Sequence, residues 1–330
     1  MASRVRIERI HVIGLAALLA VSACGGSDDD GGDPGDGGDG DGSGGADAAP
    51  LVGACAPDAA IPESGERTLS FGGRERTYIL HVPPGYQPEP TALVLNFHGY
   101  TSNAEQQEFY SVMSETADRE GFAVVYPQGT GTVPSWNAGA CCGTAVTDAI
   151  DDVGFTSDLI DAVAAELCVD ESRVFSTGFS NGGFLSHRLA CELSDRIAAV
   201  APVSGVMGID ECDPGRAVPV LHFHGTADGL VLYNGGGVSG FMSVEDSTTG
   251  WAERDGCTGE RQVSFDEGDA LCERWDSCDQ GAAVELCTID GGGHTWPGGR
   301  VPAAAGKTST DISASDRMWE FFSQHPMPGG

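Results

Sequence analysis

Six short apolar runs, at residues 92–97, 122–126, 173–177, 197–203, 218–224 and 283–289, alternate with longer stretches whose apolar residues recur every three or four positions. Those stretches, at 103–119, 154–167, 181–193, 244–254 and 313–323, read as amphipathic helices; Leu159, Ile160, Val163 and Leu167 mark the apolar face of the second. A strand that feeds a helix and returns as a strand crosses over right-handed and parallel, so the pattern predicts an α/β fold with a doubly wound, mostly parallel sheet. Runs at 67–71 and 76–82 add two strands before the alternation begins. No second domain or internal repeat is visible. With 40% hydrophobic residues in 330, the chain can fill one large core.

The first fifty residues stand apart. Arg4, Arg6 and Arg9 precede an apolar run over 12–23 that is too short to span a bilayer, which makes residues 1–23 an export signal. It ends in Val21-Ser22-Ala23-Cys24, which resembles the bacterial lipobox and implies lipid attachment at Cys24 of a protein held on the cell envelope or surface, or extracellular if released. Residues 24–50 are nearly all Gly and Asp, cannot bury a core, and are expected to be a disordered tether. The domain proper is 51–330.

A formal charge of −32, with Lys307 the only lysine, repels nucleic acid and an anionic bilayer surface alike, so membrane contact is expected only through Cys24. The chain is expected to be a monomer. Eleven cysteines less Cys24 leave ten, enough for five disulfides in an exported chain. Cys168–Cys191, which bracket a strand and the two helices around it, and Cys257–Cys278, which bracket one excursion, are the preferred pairs; sequence does not fix the connectivity of the other six. The cysteine spacing offers no zinc framework, and neither metal nor cofactor is expected.

The sequence Gly178-Phe179-Ser180-Asn181-Gly182-Gly183 lies between an apolar strand and an apolar-periodic helix. A serine at such a strand-to-helix turn is held in strained geometry, with glycines leaving room around it and a helix N-terminus favouring developing negative charge. A hydroxyl is a poor nucleophile at neutral pH, so Ser180 needs a base and a carboxylate to orient that base. His294, in a Gly-rich loop after a strand, suits the base better than His325 at the end of the last helix. Asp228, just past the run at 218–224, is better fixed than Asp210, Asp213, Asp246 or Asp255. The backbone N–H of Asn181, with that of Tyr100 or else Thr101, would form an oxyanion hole. Trp136 and Trp296, in Gly- and Pro-rich loops, are candidates for lining the substrate cleft. His222 and His224 share a strand face and read as packing, and Asp151 or Asp152 as a helix cap.

With these residues in place, residues 69–326 resemble the bacterial polyhydroxybutyrate depolymerase and feruloyl esterase family, and are similar to acetylxylan esterases. The carriers are Asn96-Phe97-His98-Gly99, Tyr126-Pro127-Gln128-Gly129, Trp136-Asn137 with Cys141-Cys142-Gly143, Asp151-Asp152-Val153-Gly154-Phe155, the Ser180 turn, His224-Gly225-Thr226-Ala227-Asp228, and Gly293-His294-Thr295-Trp296-Pro297-Gly298. The resemblance implies an α/β-hydrolase fold, a secreted serine esterase without cofactor, and catalytic roles on Ser180, Asp228 and His294. Hydrolysis through an acyl-enzyme, on feruloyl or acetyl esters of plant polysaccharide, is the leading expectation. The alternatives are a polyhydroxybutyrate depolymerase, an acyltransferase of the same fold, and an inactive surface-binding module. The chain ends at Gly330 without an appended binding module, which favours accessible esters over a solid polymer.

Overall fold

The computed structural model describes residues 53–328 apart from Val238 and Val301; the export signal, Cys24 and the tether lie outside the described residues. One ten-stranded sheet carries the fold. Its central strands are β3 (Thr91–Phe97), β4 (Ala123–Pro127), β5 (Val169–Phe179), β6 (Ala199–Val203), β7 (Val220–Gly225) and β10 (Val284–Ile289), all paired in parallel. The antiparallel strands β1 (Gly65–Phe71) and β2 (Arg74–His81) extend one edge, and β8 (Gln262–Glu267) and β9 (Ala270–Trp275) the other, in the order β1-β2-β4-β3-β5-β6-β7-β10-β9-β8.

Parallel strands covered on both faces need apolar residues on both, and β3 shows it: Val94 and Leu95 are both fully buried, in opposite core clusters. One cluster takes Leu159 from α4 (Asp152–Glu166), Leu185 and Leu189 from α5 (Asn181–Glu192) and Trp251 from α6 (Val244–Arg254). The other takes Ala104 from α1 (Ala104–Ser111), Met113 and Ala117 from α2 (Met113–Glu120), and Met318, Phe321 and Phe322 from α7 (Ala314–Gln324). Burying Leu185 and Leu189 stabilises by about 1.5–3 kcal/mol each, which fixes the helix that begins beside Ser180.

Three expectations change. The helix expected over 103–119 is two helices, broken at Val112, whose φ of 51° is left-handed. Ser111 explains the break: its hydroxyl accepts the Met113 N–H and an Asn96 side-chain N–H, so the local backbone ladder gives way to a tertiary bond. The β8–β9 hairpin and the five-residue helix α3 (Gly143–Thr147) were not expected at all.

The third change concerns cysteines. The ten described cysteines form five disulfides, which suit a chain that folds in an oxidising compartment. Cys257 pairs with Cys278 as expected, but Cys168 does not pair with Cys191. A bridge needs Cα atoms within reach, and the N-terminal turn brings Cys55 to 4.5 Å from Cys168 while the loop after β6 brings Cys212 to 5.1 Å from Cys191. Cys272–Cys287 ties β9 to β10, and Cys141 pairs with its neighbour Cys142.

Candidate active site

Ser180 stands between β5 and α5 with φ 56° and ψ −118°, a conformation costing about 1–3 kcal/mol that only the surrounding structure can hold. Its N–H donates to the Val203 carbonyl at 2.8 Å and its carbonyl accepts the Phe184 N–H at 3.0 Å, so β6 and the first helical turn grip it from both sides. Gly182 makes the turn possible. A Cβ there would sit 2.1 Å from the Phe97 carbonyl oxygen, inside any permitted contact.

Asp228 lies in the loop after β7 and His294 in the loop after β10. The two loops are stitched together, Thr226 N–H to the Ile289 carbonyl and Ala227 N–H to the Gly292 carbonyl, each at 2.9 Å. Asp228 Oδ1 accepts the Leu230 and Val231 N–H groups, both at 2.9 Å, and Oδ2 receives His294 Nδ1 at 2.7 Å. A carboxylate only accepts, so Nδ1 carries the His294 proton and Nε2 is left to act as a base. Burial pushes the Asp228 carboxyl up, but hydrogen bonds from His224 and His294 outweigh it and hold it well below the usual carboxylate range. Asp228 therefore stays ionised beside His294.

Ser180 and His294 open onto one cleft of about 780 Å³, lined also by Tyr100, Tyr110, Phe179, Leu230 and Phe241. Phe179 packs on His294 with ring centroids 4.8 Å apart. Such a group can take a proton from a serine hydroxyl and return it to a leaving alcohol.

The family model described as Esterase PHB depolymerase matches residues 76–235. Feruloyl esterase D of Neurospora crassa is 30% identical over 298 residues, a stretch that covers 84% of this chain and 93% of that protein. The chain belongs to this esterase family. Feruloyl esterase B of Piromyces equi is 34% identical over 268 residues, covering 77% of this chain but only 46% of that longer protein, so the chain spans about half the length of this relative. An acetyl xylan esterase from Aspergillus awamori shares the α/β-hydrolase fold, with a TM-score of 0.57 at 15% identity, over 79% of this chain and 99% of that one.

The loop facing Ser180 in this esterase is held by His98. Its Nε2 accepts the Gly129 N–H at 2.9 Å, so Nδ1 donates to the Gly99 carbonyl at 2.7 Å. Burial lowers the His98 pKa to about 4, so the ring is neutral and this pattern persists at neutral pH. Of the two residues considered for the second oxyanion donor, Thr101 is excluded, because its N–H is committed to the Pro134 carbonyl at 3.1 Å. The Tyr100 N–H and the helix-initiating Asn181 N–H have no acceptor among the described residues.

Trp136 and Trp296 do not line the cleft. Both are fully buried, because each indole N–H has an internal acceptor: Trp136 donates to the His98 carbonyl at 2.9 Å and Trp296 to the Ser315 hydroxyl at 3.2 Å. The cleft is lined instead by Cys141, itself nearly buried, and Cys142. Asn181 keeps them there: its side chain accepts the Trp136 N–H and donates to the Trp136 and Cys141 carbonyls. Vicinal cysteines beginning four residues after Asn137 were the available sequence signal. Asp151 caps α4 as expected, by accepting the Gly154 N–H at 2.8 Å. Asp152 does something else: fully buried, it pairs with Arg76 at 2.9 Å and accepts the Asn137 N–H at 2.7 Å, fixing the loop that follows Trp136.

Proposed function

We propose that this esterase hydrolyses carboxylic esters through an acyl-enzyme on Ser180, with His294 as general base and acid, Asp228 orienting it, and the Asn181 and Tyr100 N–H groups stabilising the oxyanion. The observation that carries the reading is the convergence of Ser180 and the 2.7 Å His294–Asp228 pair on one cleft. In the first half-reaction Ser180 Oγ attacks the ester carbonyl carbon and its proton passes to His294 Nε2. Collapse of the tetrahedral intermediate breaks the ester C–O bond, and that proton leaves with the alcohol. Water, deprotonated by the same nitrogen, then releases the acid.

The cleft also supports a substrate class. Among the described residues its lining holds no Asp, Glu, Lys or Arg, while Tyr100, Tyr110, Phe179 and Phe241 offer aromatic faces. A neutral, partly aromatic acyl group suits such a wall, since a charged one would lose hydration without gaining a partner. Feruloyl or acetyl esters borne on neutral plant polysaccharide are therefore the proposed substrates, cleaved by an exported enzyme lipidated at Cys24.

The test compares initial rates on methyl ferulate, acetylated xylan and a polyhydroxybutyrate suspension. Ser180→Ala should lower the rates by roughly 10⁵–10⁶ and abolish labelling by a fluorophosphonate. His294→Ala should match it and His325→Ala should change little, since His325 Nδ1 is engaged by the Phe321 carbonyl at 2.7 Å. Labelling at another serine, or clearing of the suspension faster than ferulate release, overturns the assignment or the substrate class respectively.

A further inference from the structure

Asp228 is met by a second imidazole. From the end of β7, His224 directs Nε2 at the Val231 carbonyl, 2.8 Å away, and at Asp228 Oδ2, 3.4 Å away. Both facing atoms are acceptors, so Nε2 carries the proton. At the other edge of the ring, His222 Nε2 lies 3.1 Å from His224 Nδ1, with the two ring planes within 4° of each other. If Nδ1 accepts, His222 Nε2 is the donor, and the bare His222 Nδ1 is a lone pair. That atom is buried without a partner among the described residues, and an unmet lone pair costs less than an orphaned N–H. The two strand histidines thus form a directed chain that ends on the carboxylate.

We propose that His224 is a positioning residue, whose Nε2–H holds Asp228 as an anion turned so that Oδ2 accepts the hydrogen bond from His294 Nδ1–H during acyl transfer. The proposal rests on the reading of Asp228 and His294 given above. Its physical basis is the lone-pair count: Oδ1 is filled by two backbone N–H groups, and Oδ2 by His294 on one side, with the His224 Nε2–H, shared with the Val231 carbonyl, 3.4 Å away on the other. Without His224, one side of a buried Oδ2 and the Val231 carbonyl both lose their donor, and nothing but His294 itself then steadies that oxygen.

Four titratable groups face this pair: His294 from the loop after β10, His222 from β7, His187 of α5 stacked on His222, and Tyr233, whose ring meets His224 edge-on at 5.9 Å. Burial lowers His222 and lowers His187 to about 3, and it raises Tyr233, so none of these three changes charge near neutral pH.

The test is a pair of variants in the full chain. His224→Phe keeps the ring without its N–H, and His224→Gln keeps a donor at nearly the same reach. The first should lower kcat roughly 10- to 100-fold with KM unchanged. It should also move the acid limb of the kcat/KM profile up by roughly half a pH unit, because a carboxylate that loses a donor is a stronger partner for an imidazolium. His224→Gln should restore the limb and most of kcat. The low-field proton NMR resonance of His294 Nδ1–H, read without substrate, should shift in His224→Phe and not in His224→Gln. Should His224→Phe fail to fold, His222→Phe frees the His224 tautomer and should move the limb the same way by less. An unmoved limb and resonance, or a Gln variant as impaired as Phe, overturns the proposal. Activity surviving in Ser180→Ala would instead overturn the proposed function, and the substrate-free resonance keeps the two failures apart.

Discussion

Asp255 offers a test of the fold's electrostatics that does not depend on the reaction. It follows α6 and is fully buried; Oδ1 accepts the Val218 N–H at 2.9 Å, and Oδ2 has no partner among the described residues. Burial raises its pKa from the usual 3.8 to about 7, against the opposing pull of the Val218 N–H and Arg216. Below the unfolded value both states hold the proton and pH has no effect. As pH rises to about 7 the unfolded chain releases its proton while the folded chain keeps it, so stability falls across that window and then levels off. At roughly 1.4 kcal/mol per tenfold difference in proton affinity the upper bound is about 4 kcal/mol, and relaxation of the site brings the expected loss to about 2–4 kcal/mol.

Asp255→Asn keeps the acceptor for Val218 and cannot ionise. Between pH 4 and pH 8 its unfolding free energy relative to wild type should therefore rise by about 2–4 kcal/mol. Asp228, whose depressed pKa gives stability that is lost only as the pH falls below the unfolded carboxylate value, is present in both proteins and cancels. Urea unfolding under non-reducing conditions, at half-unit pH steps, measures the difference. Parallel curves, separated by a constant offset within about 0.5 kcal/mol, would refute a neutral buried Asp255.

Two further outcomes are expected. Asn181→Ala removes three hydrogen bonds from the loop that carries Cys141 and Cys142, so calorimetry should show a melting temperature lower by roughly 5–10 °C together with a raised KM, and an unchanged pair of values would deny that loop its anchor. Cys24→Ser should release the enzyme from the membrane fraction with its specific activity intact, which fractionation and a rate measurement decide; retention identical to wild type would remove the lipid from the proposal.

What the sequence made legible was local. The turn at Ser180 needs only a strand, a helix and small neighbours within six residues, and the parallel sheet needs only the alternation of the two periods. What it hid was set by partners far along the chain. The break at Val112 depends on Asn96 reaching Ser111, and the burial of Trp136 depends on an acceptor at His98. Cys168 could not be matched to Cys55 across 113 residues without knowing that the N-terminal turn folds back. The β8–β9 hairpin escaped because its strands are half exposed, with charges where an apolar period would show.

Asp228 and His294 are 66 residues apart in sequence, and strand register is what brings them within 2.7 Å. β7 and β10 are parallel neighbours with Gly225 opposite Ile289, so Asp228 follows three residues beyond its strand's last pair and His294 five beyond the same rung. β10 is held on its other side by β9, where Cys272 stands directly opposite Cys287 and is bonded to it. A one-residue slip of β10 would turn Leu286 and Cys287 to the wrong faces of a sheet buried on both, so packing and disulfide resist the same error. The edge hairpin, which has no residue in the cleft, thus fixes the rung from which His294 is measured.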